Sequence, residues 1–154
     1  MKSFEYIVDG GDNGEIAQTI FNNKPAGTRA FGSKEELIND SEGIVHSICY
    51  TPAKPINIGI NIKIEASTSQ SQTWKNEIAK ALKDKFDDIQ SIGTPVKGYN
   101  YYTVLTMFNE ISDILEIQFY NVEETTDIKY YTTYDIGIRE IAKLDVKNIN
   151  ITIG

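Results

Sequence analysis

The stretch INIGINIKIEA at 56–66 constrains the fold more than any other part of the chain. Ile56, Ile58, Ile60, Ile62 and Ile64 recur with a period of two, which gathers them on one face only if the backbone is extended. Asn57, Gly59, Asn61, Lys63 and Glu65 then point the other way, so the strand has an apolar face for a core and a wet face. An apolar sheet face needs a cover. Trp74, Ile78, Ala81, Leu82, Phe86 and Ile89 follow at spacings of three and four, the stripe of a long amphipathic helix. Between strand and helix lies the polar STSQSQ at 67–72, where the sequence places a boundary between residues 1–67 and 68–154.

The first part opens with FEYIV at 4–8, an apolar run stopped by Asp9, Gly10 and Gly11. Asp12 is placed to cap a helix, and Glu15 to reach back to the cap amide as in a capping box. Ile16, Ile20 and Phe21 share a face of this helix, which ends at Lys24 because Pro25 disfavours helical geometry in the residue before it. In the KPAG corner, Pro25 suits the second position of a type I turn and Gly27 the fourth. TRAF at 28–31 resumes as an extended segment closed by Gly32. ELI at 36–38 and IVHSICY at 44–50 flank the turn cluster NDSEG and predict a hairpin, and TPAKP reads as a two-proline loop.

In the second part, Tyr101, Val104, Leu105 and Phe108 predict a second, shorter helix. ILEIQFYNV at 114–122 and IKYYTTY at 128–134 predict a hairpin, and NINITI at 148–153 a final strand. The expected class is α+β: two small mixed domains, each with an antiparallel-rich sheet and helices packed on one face. Residues 1–67 carry the KPAG turn, and 68–154 two helices followed by a three-stranded sheet region.

Chemistry is sparse. The chain of 154 residues carries a formal net charge of −7, and Arg29 and Arg139 are its only arginines, so no basic stripe exists for nucleic acid. No apolar run is long enough to span a bilayer, and a soluble chain is expected. Cys49 is the single cysteine, which excludes an internal disulfide and suits synthesis in a reducing cytoplasm. His46 and Cys49 are three apart and point to opposite faces of a strand, a poor dyad, and no second His or Cys is present to build a zinc or haem site. DGGDNGE at 9–15 matches neither a phosphate cradle nor an EF-hand, and turn plus helix cap accounts for it. Glu35 and Glu36, Asp87 and Asp88, and Glu123 and Glu124 are adjacent carboxylates of the kind that crowd solvated surfaces. Tyrosines concentrate in the second half, where consecutive Tyr130 and Tyr131 point to opposite faces and offer one ring to a protein partner or a sugar.

The stretch YIVDGGDNGEIAQTIFNNKPAGTRAFGS resembles the baseplate J-like protein family of contractile phage tails and phage-tail-like bacteriocins. The resemblance runs through Val8 to Asp12 with Gly10 and Gly11, through Ile16 and Ala17, Lys24, Pro25, Ala26 and Gly27, and on to Gly32. SEGIVHSICYTPAKPINIGINIKI is similar to two successive strands of the family joined by a proline-bearing loop, and IREIAKLD with NINITI resembles its end. Family members are usually longer, so the resemblance implies a carboxy-terminal part or a shortened member. It further implies a structural component of a baseplate wedge, made in the bacterial cytoplasm and assembled into a virion tail or tail-like particle. Contacts with other baseplate or tail subunits and self-association would then replace catalysis, with no cofactor, metal, nucleic acid or membrane involved. Two other readings stand beside it: a receptor- or glycan-binding module of a tail, and a cell-wall glycan hydrolase using an acidic pair.

Overall fold

The computed structural model describes residues 2–67 and 71–154. They form an α+β chain with three α-helices and ten strands among the described residues, divided into two compact units, Met1–Lys54 and Pro55–Gly154. The division therefore falls earlier than the 67/68 boundary expected from the polar stretch. The cause is the alternating strand itself: Ile58, Ile60, Ile62 and Ile64 are buried with Trp74, Ile78, Leu82 and Phe86, so the strand belongs with the helix that covers it. Residues 68–70 of STSQSQ lie outside the described residues.

In the first unit, strands β1 (Ser3–Glu5) and β2 (Ile7–Val8) precede helix α1 (Asn13–Asn23), followed by β3 (Arg29–Phe31), β4 (Lys34–Asn39) and β5 (Val45–Pro52). The apolar run FEYIV is thus two short strands divided at Tyr6. β1 pairs with β3 and β2 with β5, both in parallel, because α1 carries the chain back before it re-enters the sheet. Only β4 and β5 form the antiparallel hairpin, from Lys34↔Tyr50 to Asn39↔Val45. The antiparallel-rich sheet expected here is accordingly flanked by parallel pairs. Ala17 and Ile20 of α1 pack with Ala30, Ile38, Ile48 and Tyr50.

α1 starts where its local chemistry dictates. Asp12 is extended and its carboxylate accepts from the Glu15 backbone N–H at 3.1 Å, a cap whose removal costs about 1 kcal/mol. At the other end Lys24 is already extended, with ψ 135°, and its N–H donates to the Ile20 carbonyl at 2.8 Å. The next residue is Pro25, which favours that geometry in its predecessor.

The second unit contains β6 (Lys54–Ala66), α2 (Gln72–Ile89), β7 (Val96–Lys97), a 3-10 turn (Gly98–Tyr101), α3 (Tyr102–Leu105), β8 (Ile111–Asn121), β9 (Thr133–Tyr134) and β10 (Glu140–Ile153). Only Ala53 separates β5 from β6, so the expected TPAKP loop is mostly strand. β6 is central in the order β10–β6–β8, pairing antiparallel with β8 from Ile58↔Asn121 to Ala66↔Ile111. Ser71 caps α2, its hydroxyl accepting from the Trp74 N–H at 3.2 Å. Burial of each isoleucine on the covered face of β6 contributes about 2 kcal/mol, taken against a fully extended unfolded chain.

Two expected elements differ. The helix predicted around residues 99–111 is a 3-10 turn plus the single turn of α3, although Tyr101, Val104 and Leu105 are buried and Phe108 packs on the same core. The hairpin of 114–122 with 128–134 is reduced to one isolated bridge, Phe119↔Tyr131, while Thr133 and Tyr134 pair with β7. That bridge, in which Phe119 and Tyr131 exchange both main-chain hydrogen bonds at 2.7 and 2.9 Å, uses the edge of β8 opposite the one paired to β6.

Candidate interaction surfaces

The KPAG corner is a turn of another type from the one its spacing suggests. The Thr28 N–H donates to the Pro25 carbonyl at 3.2 Å, so Pro25 is the first residue of the reversal and Gly27 the third. Gly27 has φ +74°, the sign that a type II turn demands at that position. The Lys24 ammonium donates to the Thr28 carbonyl at 2.9 Å and ties the helix end to the chain leaving it. Gly32 is held by proximity: a Cβ there would stand 2.2 Å from the Tyr50 carbonyl carbon. Gly10 and Gly11, with φ +72° and +102°, turn the chain from β2 into the Asp12 cap, and Glu15 supplies the capped N–H. These residues fall into a helix cap, a turn and a backbone crossing, all geometric tasks.

His46 lies on the α1 side of β5, its ring 4.8 Å from that of Phe21, and its Nε2 is 2.8 Å from Asp40 Oδ2. Asp40 Oδ1 accepts from the Glu42 and Ile44 N–H groups at 2.9 Å each, which closes the β4–β5 turn. The His46 hydrogen bond first, and the Ile44 N–H second, hold the Asp40 carboxyl below its usual value. Cys49 alternates with Ile48 and Tyr50 on β5 and is paired with Glu35 in register. Of the adjacent carboxylates, Glu35 accepts from the Ser47 hydroxyl, Asp87 pairs with Lys83 at 2.5 Å, and Glu123 accepts from the Asn57 amide at 2.8 Å. Among the described residues no three His, Cys, Asp or Glu side chains are grouped to hold a metal, and no helix is long and apolar enough to cross a membrane. Tyr101 is fully buried against Phe119, and its hydroxyl finds no hydrogen-bond partner. Burial, reinforced by Asp87, pushes its ionisation well up.

Tyr130 and Tyr131 are both partly exposed, at 47% and 41%. They diverge as consecutive residues of an extended chain do. Tyr130 leans on Tyr120, centroids 5.7 Å apart, and Tyr131 meets Tyr134 edge-on at 5.4 Å. The Tyr120 ring lies over Gly59, where a Cβ would come within 2.1 Å of it, and its hydroxyl accepts from the Asn150 amide at 3.2 Å. Asn150 also donates to the Asn61 side chain at 2.9 Å. The wet face of the sheet therefore carries the tilted Tyr120–Tyr130 pair beside the Asn61 and Asn150 amides.

Two further surfaces escaped the sequence reading. On the outward face of the β4–β5 pair, Leu37 and Val45 are 67% and 60% exposed, with Ile44 beside them at the turn. In the second unit a cavity of about 500 Å³ lies between α2 and β10. Its walls carry Lys75 and Lys147, two lysines far apart in sequence that no local motif connects. No protein-family model and no curated protein sequence matches the chain.

Proposed function

We propose that this chain is a structural component of a phage-tail or tail-like baseplate, made in the bacterial cytoplasm and acting through contacts with other tail subunits and with its own copies. The observation that supports the reading is the outward face of the β4–β5 hairpin. Leu37, Ile44 and Val45 are large, apolar and mostly exposed at one place in a chain whose charge is strongly negative, and an apolar cluster of this kind marks a contact surface. The resemblance of residues 6–32 to baseplate J-like proteins supports the choice of assembly, and the capped helix, type II turn and backbone crossing give those residues a geometric rather than a chemical task.

The test is incorporation. Tail particles purified from a producing strain should contain the chain, with immunogold label at the baseplate end. The double substitution L37D/V45D should abolish incorporation while circular dichroism stays unchanged. Absence of the chain from intact particles would overturn the reading. A second reading, a glycan-binding module of a tail, is favoured by Tyr120 and Tyr130 with the Asn61 and Asn150 amides, since ring faces and amides are suited to sugars. Glycan-array binding lost in Tyr130→Ala would support it over assembly.

A further inference from the structure

The cavity between α2 and β10 has the layout of a strand-addition groove. β10 is an outer strand of its sheet, in the order β10–β6–β8. Ile149, Asn150, Ile151 and Thr152 line the cavity in succession. Consecutive strand residues point to opposite faces, so a cavity that meets four of them in a row meets the strand along its edge. An outer edge presents main-chain N–H and C=O groups ready for pairing. The opposite wall is the first half of α2, with Gln72, Lys75 and Asn76. A sheet edge facing a helix across a groove is the arrangement in which an extended peptide adds a strand, with main-chain bonds giving affinity and flanking side chains giving selectivity.

The charge of the walls selects the occupant. The chain has 22 acidic residues against 15 Lys and Arg, yet the cavity lining contains two lysines and no carboxylate. Lys147 is 77% exposed, and the Asp145 carboxylate stands 4.0 Å from its ammonium. Gln72 and Asn76 supply amides that both donate and accept, whereas the Asn150 amide is engaged by Asn61 and Tyr120 on the other face. We infer that the groove between α2 and residues 146–152 of β10 binds an extended acidic peptide segment of another protein by strand addition. The edge from 146 to 152 is about 20 Å long at ~3.3 Å per residue, which accommodates a segment of about seven residues. The inference does not depend on the baseplate reading.

The probe is a fluorescein-labelled seven-residue peptide alternating valine and glutamate, compared with one alternating valine and lysine, titrated against the purified chain. Saturable anisotropy is expected for the glutamate peptide, with at least about tenfold weaker binding of the lysine peptide. Amide shifts should concentrate in residues 146–152 and 72–79. The double substitution K75E/K147E, checked for an unchanged circular dichroism spectrum, should weaken the glutamate peptide about tenfold and favour the lysine peptide. Equal binding of both peptides, no saturation by either, shifts centred elsewhere, or dimerisation of the chain through residues 146–152 would each overturn the inference. Since no tail particle enters the assay, its failure leaves the incorporation result untouched.

Discussion

Gly32→Ala should be the most damaging small substitution in the first unit. A Cβ built on Gly32 would lie 2.2 Å from the carbonyl carbon of Tyr50, 2.4 Å from its oxygen and 2.6 Å from its Cα. Carbon atoms that are not bonded settle at about 3.5–4.0 Å, so the two backbones must part by more than about 1 Å. Neither side yields easily. Tyr50 is 1% exposed, is paired to Lys34 in the β4–β5 ladder, and its hydroxyl donates to Asn13 at 2.8 Å. Overpacking of a fixed neighbour costs about 1–3 kcal/mol and occasionally more. A backbone neighbour puts this case at about 3 kcal/mol. A unit of this size has a total stability of only about 3–8 kcal/mol. Gly27→Ala is the control, because Gly27 has nothing within 4 Å of its added Cβ and suffers only the left-handed φ of +74°, a penalty of about 1 kcal/mol. Urea unfolding followed through amide exchange at Ile48 and Tyr50 should place Gly32→Ala below Gly27→Ala by about 2 kcal/mol. Equal losses, or the reverse order, would refute the argument from close approach.

Other substitutions probe the remaining features. Tyr101→Phe removes a buried hydroxyl without a hydrogen-bond partner and should raise stability by about 1 kcal/mol in thermal or urea unfolding. The same residue links stability to alkaline pH. Its ionisation is pushed up in the folded chain, so its contribution is complete below the ordinary tyrosine value near 10 and is lost as pH rises above it, a loss that Tyr101→Phe should reduce. Asp40 has the opposite sign: its carboxyl is held down, so its support of the β4–β5 turn is present above the usual carboxylate range and fades as pH falls through it. Asp40→Ala should accordingly quicken amide exchange at Glu42 and Ile44 at neutral pH. Asp12→Ala should lower stability by about 1 kcal/mol and fray the first turn of α1, visible as faster exchange at Glu15.

What the sequence disclosed was local. Asp12 and Pro25 bound α1 through contacts within a few residues, and the alternation of β6 leaves one choice of face, so both could be read directly. The turn type could not. Proline early and glycine late suit both type I and type II reversals in different registers, and the sign of φ at Gly27 decides between them. Strand partners were equally hidden, because the β pattern of 114–122 states that it is a strand and is silent on which edge it joins. The boundary was misplaced for a related reason. Polar residues at 67–72 interrupt the secondary structure, whereas cores are divided by which apolar faces meet, and those of β6 meet α2. The groove depends on α2 lying beside an outer strand from the far end of the chain, a juxtaposition with no local signature.

The contact between Gly59 and Tyr120 imposes an order on evolution. With the ring at 120 lying where any Cβ at 59 would stand, position 59 is closed to every other amino acid for as long as the tyrosine keeps that pose. The converse does not hold, since a smaller side chain at 120 leaves glycine at 59 undisturbed. A lineage diverging from this sequence would therefore move or replace the ring at 120 before position 59 gains a side chain. Across descendants, a side chain at 59 together with an aromatic ring at 120 requires the ring to leave its place over position 59 and with it the Asn150 hydrogen bond.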